Sequence, residues 1–482
     1  MIAPPPLPPQ VWETLTPEAQ AAVLALVCRL EQQVTELKQQ VRDLKARLDQ
    51  NSTNSSKPPS SDPIGVKRKP PVPPSKKRRG GQEGHPRRLR ALVPPERVAS
   101  VTECKPAQCR RCRHPLVGDD AEPLRHQVAE LPPVEPEVHE YRLHRLPCPH
   151  CSTITCGALP DGVPRTAFGP RLHAVLSVLT GAYRLSKRQV AQLGSDLLGL
   201  TISIGMIAKL ERITAAVLEP PVTELAEQVK TAEAANIDET GWRENGRKAW
   251  LWVVLTGLGI VFRIVRSRAG AVAMDLLGEE PKPVVISDRF PAYEWIKLRS
   301  RQVCWAHLRR DFQAMIDRDG DGAEVGRQLL WQSNKLFESW HKVRDGTIQR
   351  STFLQTVAWL RPMVRLSLQR GSLCACTKTA ATCGELLRLW DCLWTFTRVA
   401  GVEPTNNAAE RALRHAVIWR RISGGTDSEA GSRFVERVLS VVATCRQQKR
   451  SVLEYLTQCH RARLDGAATP SLVPAYAATP AA

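Results

Sequence analysis

Between Ala234 and Asp311 the apolar residues leave the helical period and begin to alternate, and this change narrows the possible folds more than any other feature. "AANIDETGW" reads as a short apolar strand that closes on an acid, Asp238. "KAWLWVVLTGL" and "IVFRIVRS" read as two further strands joined by a glycine-containing hairpin turn. "AGAVAMDLLG" returns to the helical period, and "KPVVISD" is a fourth strand, closing on Asp288. "PAYEWIKL" reads as a helix and "RQVCWAH" as a fifth strand.

Three strands, helix, strand, helix, strand is the order of an RNase H-like α/β core, a mixed sheet with flanking helices. In that order the first and fourth strands are neighbours, so Asp238 and Asp288 stand side by side. Adjacent carboxylates repel, and a divalent cation relieves the repulsion. A third carboxylate, from a helix returning over the sheet, completes a site for two ions about 4 Å apart. Glu410, in "EPTNNAAERALRHAVIWRR", opens the next plausible helix among Arg411, Arg414, Arg420 and Arg421. Such company suits phosphate. The plain alternative has Asn407 as cap and Glu410 closing a capping box. Glu239 is an alternative to Asp238, and an Asp at a strand end often only makes a turn. "DRDGDGAE" fails the EF-hand spacing and reads as an exposed loop. Residues 312 to about 402 are helical and tryptophan-bearing, an insertion within a catalytic domain of 231–460.

Upstream, Val23, Val27, Leu30, Val34, Leu37, Val41, Leu44 and Leu48 step by 4, 3, 4, 3, 4, 3 and 4. Residues 15–50 are therefore expected to form a coiled coil, with β-branched a and Leu d favouring a parallel homodimer or a higher oligomer. Residues 51–98 are rich in Ser, Pro, Lys and Arg and read as a basic linker that buries too little to fold. The span from Lys57 to His114 holds 16 Lys and Arg against 4 Asp and Glu, an excess of +12 within a chain of net charge +20. Lys76, Lys77, Arg78 and Arg79 are its densest run, suited to the DNA backbone.

Fourteen cysteines in a chain without an export signal are read for metal before disulfides. Cys109-x-x-Cys112 and Cys148-x-x-Cys151 can place four thiolates on one structural zinc, with Cys104, Cys156, His114 and His150 as alternative ligands. This defines a zinc-binding domain over 99–160. Residues 165–230 turn helical, with helices opened by Ser186 and Ser203. A helix-turn-helix presenting Lys209 and Arg212 to DNA and ordinary helical packing both remain open. Residues 461–482 are expected to be a disordered tail. "MIAPPPLPPQ" lacks the cationic start and apolar core of a signal peptide, and "AWLWVVLTGLGIVF" is too short to span a bilayer. No membrane partner is expected.

Over about residues 20–460 the chain resembles the insertion-sequence 66 family of bacterial DDE transposases. The likeness rests on an ordered set: "LEQQVTELKQQVRDLKARLDQNSTNSSKPPSSD", the two CxxC pairs, "NIDETGW" with "WLWV", "VVISDRFPAYEW", "CWAHLRRDF", "TNNAAERALR" and "ISGGTDSEAGSRFVERVLSVVATCRQQKRSVLEYL". It implies Asp238, Asp288 and Glu410 as a triad binding two Mg²⁺ (or Mn²⁺) ions, and His307 and Arg310 as contacts to phosphate, the alternative being that these two only tie strand to helix. It also implies terminal inverted repeats and target DNA as partners, accessory proteins from adjacent reading frames, and a cytoplasmic, nucleoid-associated life. Arg289 departs from the pattern, which has a small residue after the second Asp. The rival readings are a catalytically inactive, domesticated DNA-binding regulator, a plain RNase H-like nuclease and a zipper-built scaffold.

Overall fold

The computed structural model describes residues 7–52, 54–55 and 91–474. The chain divides into two units, the smaller made of Lys69–Val138 and Leu197–Gly199. The run Lys76 to Arg79 lies outside the described residues. Within the smaller unit, Gln127 exchanges two hydrogen bonds with the Val93 backbone (2.8 and 2.9 Å), and Gln108 bridges Pro115.

The larger unit opens with α1 (Pro9–Trp12) and α2 (Pro17–Leu48). Pro17 in the first turn and the Thr16 side chain, which accepts the Ala19 N–H at 3.4 Å, fix the start of α2. Its heptad seam, including Leu30, Val34, Leu37, Val41 and Leu44, is exposed. Next come β1 (Arg145–Pro147) and β2 (Ile154–Cys156), an antiparallel pair. Three helices follow: α3 (Pro170–Gly181), α4 (Lys187–Leu198) and α5 (Ile204–Gln228). Ser186 and Ser203 accept N–H groups of the first turns of α4 and α5.

The core sheet contains β3 (Ala234–Glu244), β4 (Arg247–Thr256), β5 (Ile260–Val265), β6 (Val284–Ser287) and β7 (Arg301–Val303), with α6 (Gly270–Leu277) between β5 and β6. The strand order is β5-β4-β3-β6-β7. β3, β4 and β5 are antiparallel neighbours, and β3, β6 and β7 are parallel ones. Asn245 and Gly246, both at positive φ (50° and 69°), make the tight β3–β4 turn. The run "WLWVVL" is continuous because β4 is buried on both faces. Trp252 and Val254 join Leu218, Leu225, Tyr455 and Leu456 on one side, while Leu251 and Val253 join Leu413, Phe434 and Val438 on the other.

After β7 the chain forms α7 (Trp305–Asp317), α8 (Asp321–Arg344), α9 (Arg350–Ser372), α10 (Thr377–Arg388), α11 (Trp390–Leu393) and α12 (Thr395–Arg398). These helices have their own core, with Trp340 packed edge-on against Phe353 and Phe396, each 5.4 Å away. The chain closes with α13 (Asn407–Ser423), α14 (Glu429–Gln447) and α15 (Val452–Leu464).

Both edges of the sheet are covered by side chains. On β5 the N–H groups of Ile260, Phe262 and Ile264 donate to Thr444 Oγ1 (3.0 Å), Ser440 Oγ (2.8 Å) and Glu436 Oε2 (2.9 Å), all on α14. On β7 the Arg301 carbonyl accepts from Thr395 Oγ1 at 2.6 Å. Gly425 lets α14 start close to the sheet, since a Cβ there would collide with the Arg243 carbonyl.

Four local expectations are corrected. β3 does not end at Asp238 but continues to Glu244, because the hairpin with β4 extends it. "PAYEWIKL" is not an α-helix but a 3₁₀ turn at Pro291–Tyr293. The Tyr293 carbonyl accepts from Arg301 (3.1 Å) and, in a 3₁₀ pattern, from the Ile296 N–H (3.3 Å). The fifth strand stops at Val303, because the Trp305 N–H turns to Pro404 O (2.9 Å), which puts His307 and Arg310 on α7. The tail expected from residue 461 is folded as far as Leu472, which is fully buried and whose carbonyl accepts from Gln448 at 2.8 Å.

Candidate active site

Asp238 projects from β3 just beyond its pairing with β6, and Asp288 is the first residue after β6. A buried arginine shapes that bend. Arg301 donates to Asp288 O (2.7 Å), Tyr293 O (3.1 Å) and Ser287 Oγ (3.2 Å). The Asp288 carboxylate accepts the Phe290 N–H at 2.9 Å. Arg289 points away from the acids. It pairs with Asp311 on α7 (2.7 Å) and Glu385 on α10, tying the bend to the helical insertion.

Glu410 enters on the first turn of α13. The capping-box alternative is not what the fold uses. The cap position is Asn406, not Asn407, and no side chain caps the helix. Asn406 is fully buried and holds β3 instead, donating to Ile237 O (2.8 Å) and accepting from Asn236 Nδ2 (2.9 Å). Its N–H donates to Cys304 Sγ at 3.1 Å. Unmaking a buried bond of this kind costs about 1–3 kcal/mol. Tertiary bonding has thus overridden the local cap, which frees Glu410 from its helix.

Three side chains converge on Glu410. Oε2 lies 3.5 Å from Arg310 Nη2, and Oε1 lies 3.7 Å from His307 Nδ1. Cys304 Sγ completes a group whose ligand atoms are all within 4.8 Å of one another. Glu410 Oε1 and His307 Nδ1 are buried atoms with no hydrogen-bond partner.

Asp238 senses the acids around it. Burial and then the charges of Glu239, Asp288 and Glu410 push the Asp238 carboxyl well above its ordinary range, against the pull of the Glu239 N–H. Glu239 itself faces elsewhere. It is buried, bonded by Arg268 (2.7 and 2.9 Å) and by the Tyr293 hydroxyl, and Arg268 lies over Phe290 and Trp250. The alternation of β3 explains why one carboxylate meets the site and the next does not.

An acid whose folded pKa is raised favours the folded state most while protonated. Asp238 therefore lowers stability progressively as pH rises from the ordinary Asp range through its raised value. In chelator at neutral pH, Asp238→Asn should raise Tm by a few degrees, since about 1 kcal/mol moves a domain of this size by about 2–4 °C. Thermal unfolding at several pH values checks this. An Asn variant no more stable than the parent at pH 8 would contradict it.

The other candidate residues lie as follows. Arg411 and Arg414 are exposed on α13, and Lys209 and Arg212 are exposed on α5. Arg420 is turned inward onto Thr240 (3.3 Å) and the Gly241 carbonyl of β3, so it is not a free phosphate contact.

The two cysteine pairs fold alike, the first in the smaller unit and the second in the larger. Cys109 N–H donates to His114 O (2.8 Å) and Cys109 O accepts the Arg113 N–H (2.9 Å), with Arg113 at φ 59°. Cys148 N–H donates to Thr153 O (2.9 Å) and Cys148 O accepts the Ser152 N–H (2.9 Å), with Ser152 also at φ 59°. Hydrogen bonds from the Cys112 and Arg111 backbone lower the Cys109 pKa, and those from Thr153 lower that of Cys151, which favours the thiolates a metal needs.

Sequence reasoning missed Asn406, Arg301 and Cys304. A signal exists for Cys304, since Cys304-Trp-Ala-His307 sets two ligand types one helical turn apart.

A family model described as "Transposase IS66 family" matches residues 165–433, more than half of the chain. A second, described as a family of unknown function (DUF6444), matches residues 6–91. The chain is similar to uncharacterized protein y4hP of Sinorhizobium fredii (strain NBRC 101917 / NGR234), at 22% identity over 392 residues. That match covers 73% of this chain and 69% of the relative. It is also similar to uncharacterized protein y4qI of the same strain, at 25% identity over 159 residues, or 32% of this chain and 29% of the relative.

Proposed function

Because this chain belongs to the IS66 family of transposases, we propose that it binds the ends of a bacterial insertion sequence and cleaves and transfers DNA strands through Asp238, Asp288 and Glu410. The placement of Asp238 carries the reading: after burial and the charge of Glu239, it is Asp288 and Glu410 that raise its carboxyl pKa. Asp288 and Glu410, carried by other elements, lie within electrostatic reach of Asp238, and Glu410 keeps a buried oxygen without a hydrogen-bond partner. Such hard oxygen donors fit Mg²⁺ or Mn²⁺. When bound, two such ions activate water and stabilise the leaving oxygen of an in-line displacement at phosphorus.

The protein's own part is placement. Asn406 and Arg301 hold the backbones that carry Glu410 and Asp288. Arg310 and His307 face the scissile phosphate, while Arg411, Arg414, Lys209, Arg212 and the run Lys76 to Arg79 grip the flanking backbone. The freed 3′-hydroxyl attacks target DNA, so no Tyr or Ser nucleophile is needed. Cys109 and Cys112 in one knuckle, and Cys148 and Cys151 in the other, supply thiolates for structural Zn²⁺.

Purified protein in Mg²⁺ should nick duplex DNA bearing the element's terminal repeats, leave 3′-hydroxyls and stop on chelation. Binding of those ends without cleavage in either metal would favour the domesticated regulator.

The exposed seam of α2 pairs with a second copy in parallel. Leu37→Pro removes a helical hydrogen bond and the seam together, at about 3 kcal/mol or more. Sedimentation should then show the species drop to monomer. Wild type already monomeric at micromolar concentration would contradict the pairing. Among the described residues, no helix is long and apolar enough to cross a membrane.

A further inference from the structure

Cys304, His307 and Glu410 differ in chemistry from the acids beside them. Asp238 and Asp288 offer only oxygen, whereas this trio offers sulfur, nitrogen and oxygen within 4.8 Å. Zinc binds such donors at about 2.3, 2.0 and 2.1 Å, so ligand atoms on one tetrahedral ion stand roughly 3.5 Å apart. His307 Nδ1 and Glu410 Oε1 stand 3.7 Å apart, and neither has a hydrogen-bond partner though both are buried.

We propose that these three residues form a site for a thiophilic divalent cation, Zn²⁺ foremost, which draws Glu410 from Asp238 and Asp288 and holds the enzyme inactive. The inhibitory half rests on the role of Glu410 proposed above, and the binding half does not.

Cys304 caps α7 and His307 lies one turn on, so the helix sets their spacing. Without a cation, burial pushes the thiol up to about 12, so it stays protonated. Binding releases that proton to solvent and leaves a thiolate facing the N–H groups of Asn406, His307 and Ala306. These lie at the N-termini of α7 and α13, whose dipoles favour the negative charge. Three protein ligands leave the fourth zinc position for water. Arg310 keeps the other Glu410 oxygen, so the carboxylate is held from two sides.

The full-length protein is tested with Co²⁺ in place of Zn²⁺, because thiolate–cobalt charge-transfer absorption reports sulfur ligation directly. Wild type should bind one more equivalent than Cys304→Ser or Cys304→Ala, with cobalt on the knuckles unaffected and circular dichroism confirming the fold. In Mg²⁺-driven nicking, normalised to each protein's zinc-free rate, half-inhibition by Zn²⁺ should need at least about tenfold more metal in the variants. That is the smallest loss that follows removal of even an outer partner of a metal ligand. Equal cobalt binding in all three proteins overturns the site. Cobalt lost with zinc inhibition unchanged overturns the withdrawal of Glu410. Failure of the cleavage reading looks different, with no nicking by any of the proteins while the cobalt difference persists.

Discussion

Glu410→Gln should cut strand cleavage by on the order of a thousandfold, about 4 kcal/mol of transition-state stabilisation, while folding and DNA binding persist. The substitution preserves shape and removes one charge. A Gln would serve a capping box as well as a Glu, but α13 is not capped by a side chain, so no capping role stands to be preserved. Asp238→Asn and Asp288→Asn should behave alike. Pairs of these changes should add little, because ligands of one site act as a unit. Glu239→Gln is the control. It weakens the bond to Arg268 and costs stability, yet it should cleave. Gel assays on end-bearing DNA, with binding measured in parallel, check the set. A Glu410→Gln protein that nicks at the parental rate would return the third acid to an open search.

Chelation, or Cys148→Ser, should unfold the cysteine-bearing segments while leaving the core sheet intact. A structural zinc contributes about 10–16 kcal/mol at neutral pH, far more than the short β1–β2 pair can supply. Elemental analysis should find zinc in the parent protein and its loss in the variant. Limited proteolysis should then cut within 99–160 before anywhere in 231–460. Zinc-free parent protein that resists protease equally would remove the metal from the account.

The strands of the core were legible because alternation is a short-range signal, although Asp238 does not close its strand: β3 runs on to Glu244. The helix that carries Glu410 was legible too. What could not be read was which of two competing partners each polar group would take. Asn407, three residues before Glu410, looks like a cap, yet buried Asn406 is committed to β3, a bond between residues far apart in sequence. Arg289 looked like a disturbance beside Asp288, and its salt bridges turn it towards α7 and α10. Arg420 seemed one of a phosphate-binding group and is spent on a strand carbonyl. Local sequence names the candidates, and tertiary geometry chooses among them.

The side chains of α14 that meet β5 bear on how copies of this protein coexist. An open strand is a template for any other strand, and one that can pair indefinitely leads to insoluble aggregates. Here Glu436, Ser440 and Thr444, one turn apart, take the N–H groups that a foreign strand would seek, and Thr395 guards the opposite margin. Chains brought together at high local concentration therefore meet a core sheet whose two margins are already covered.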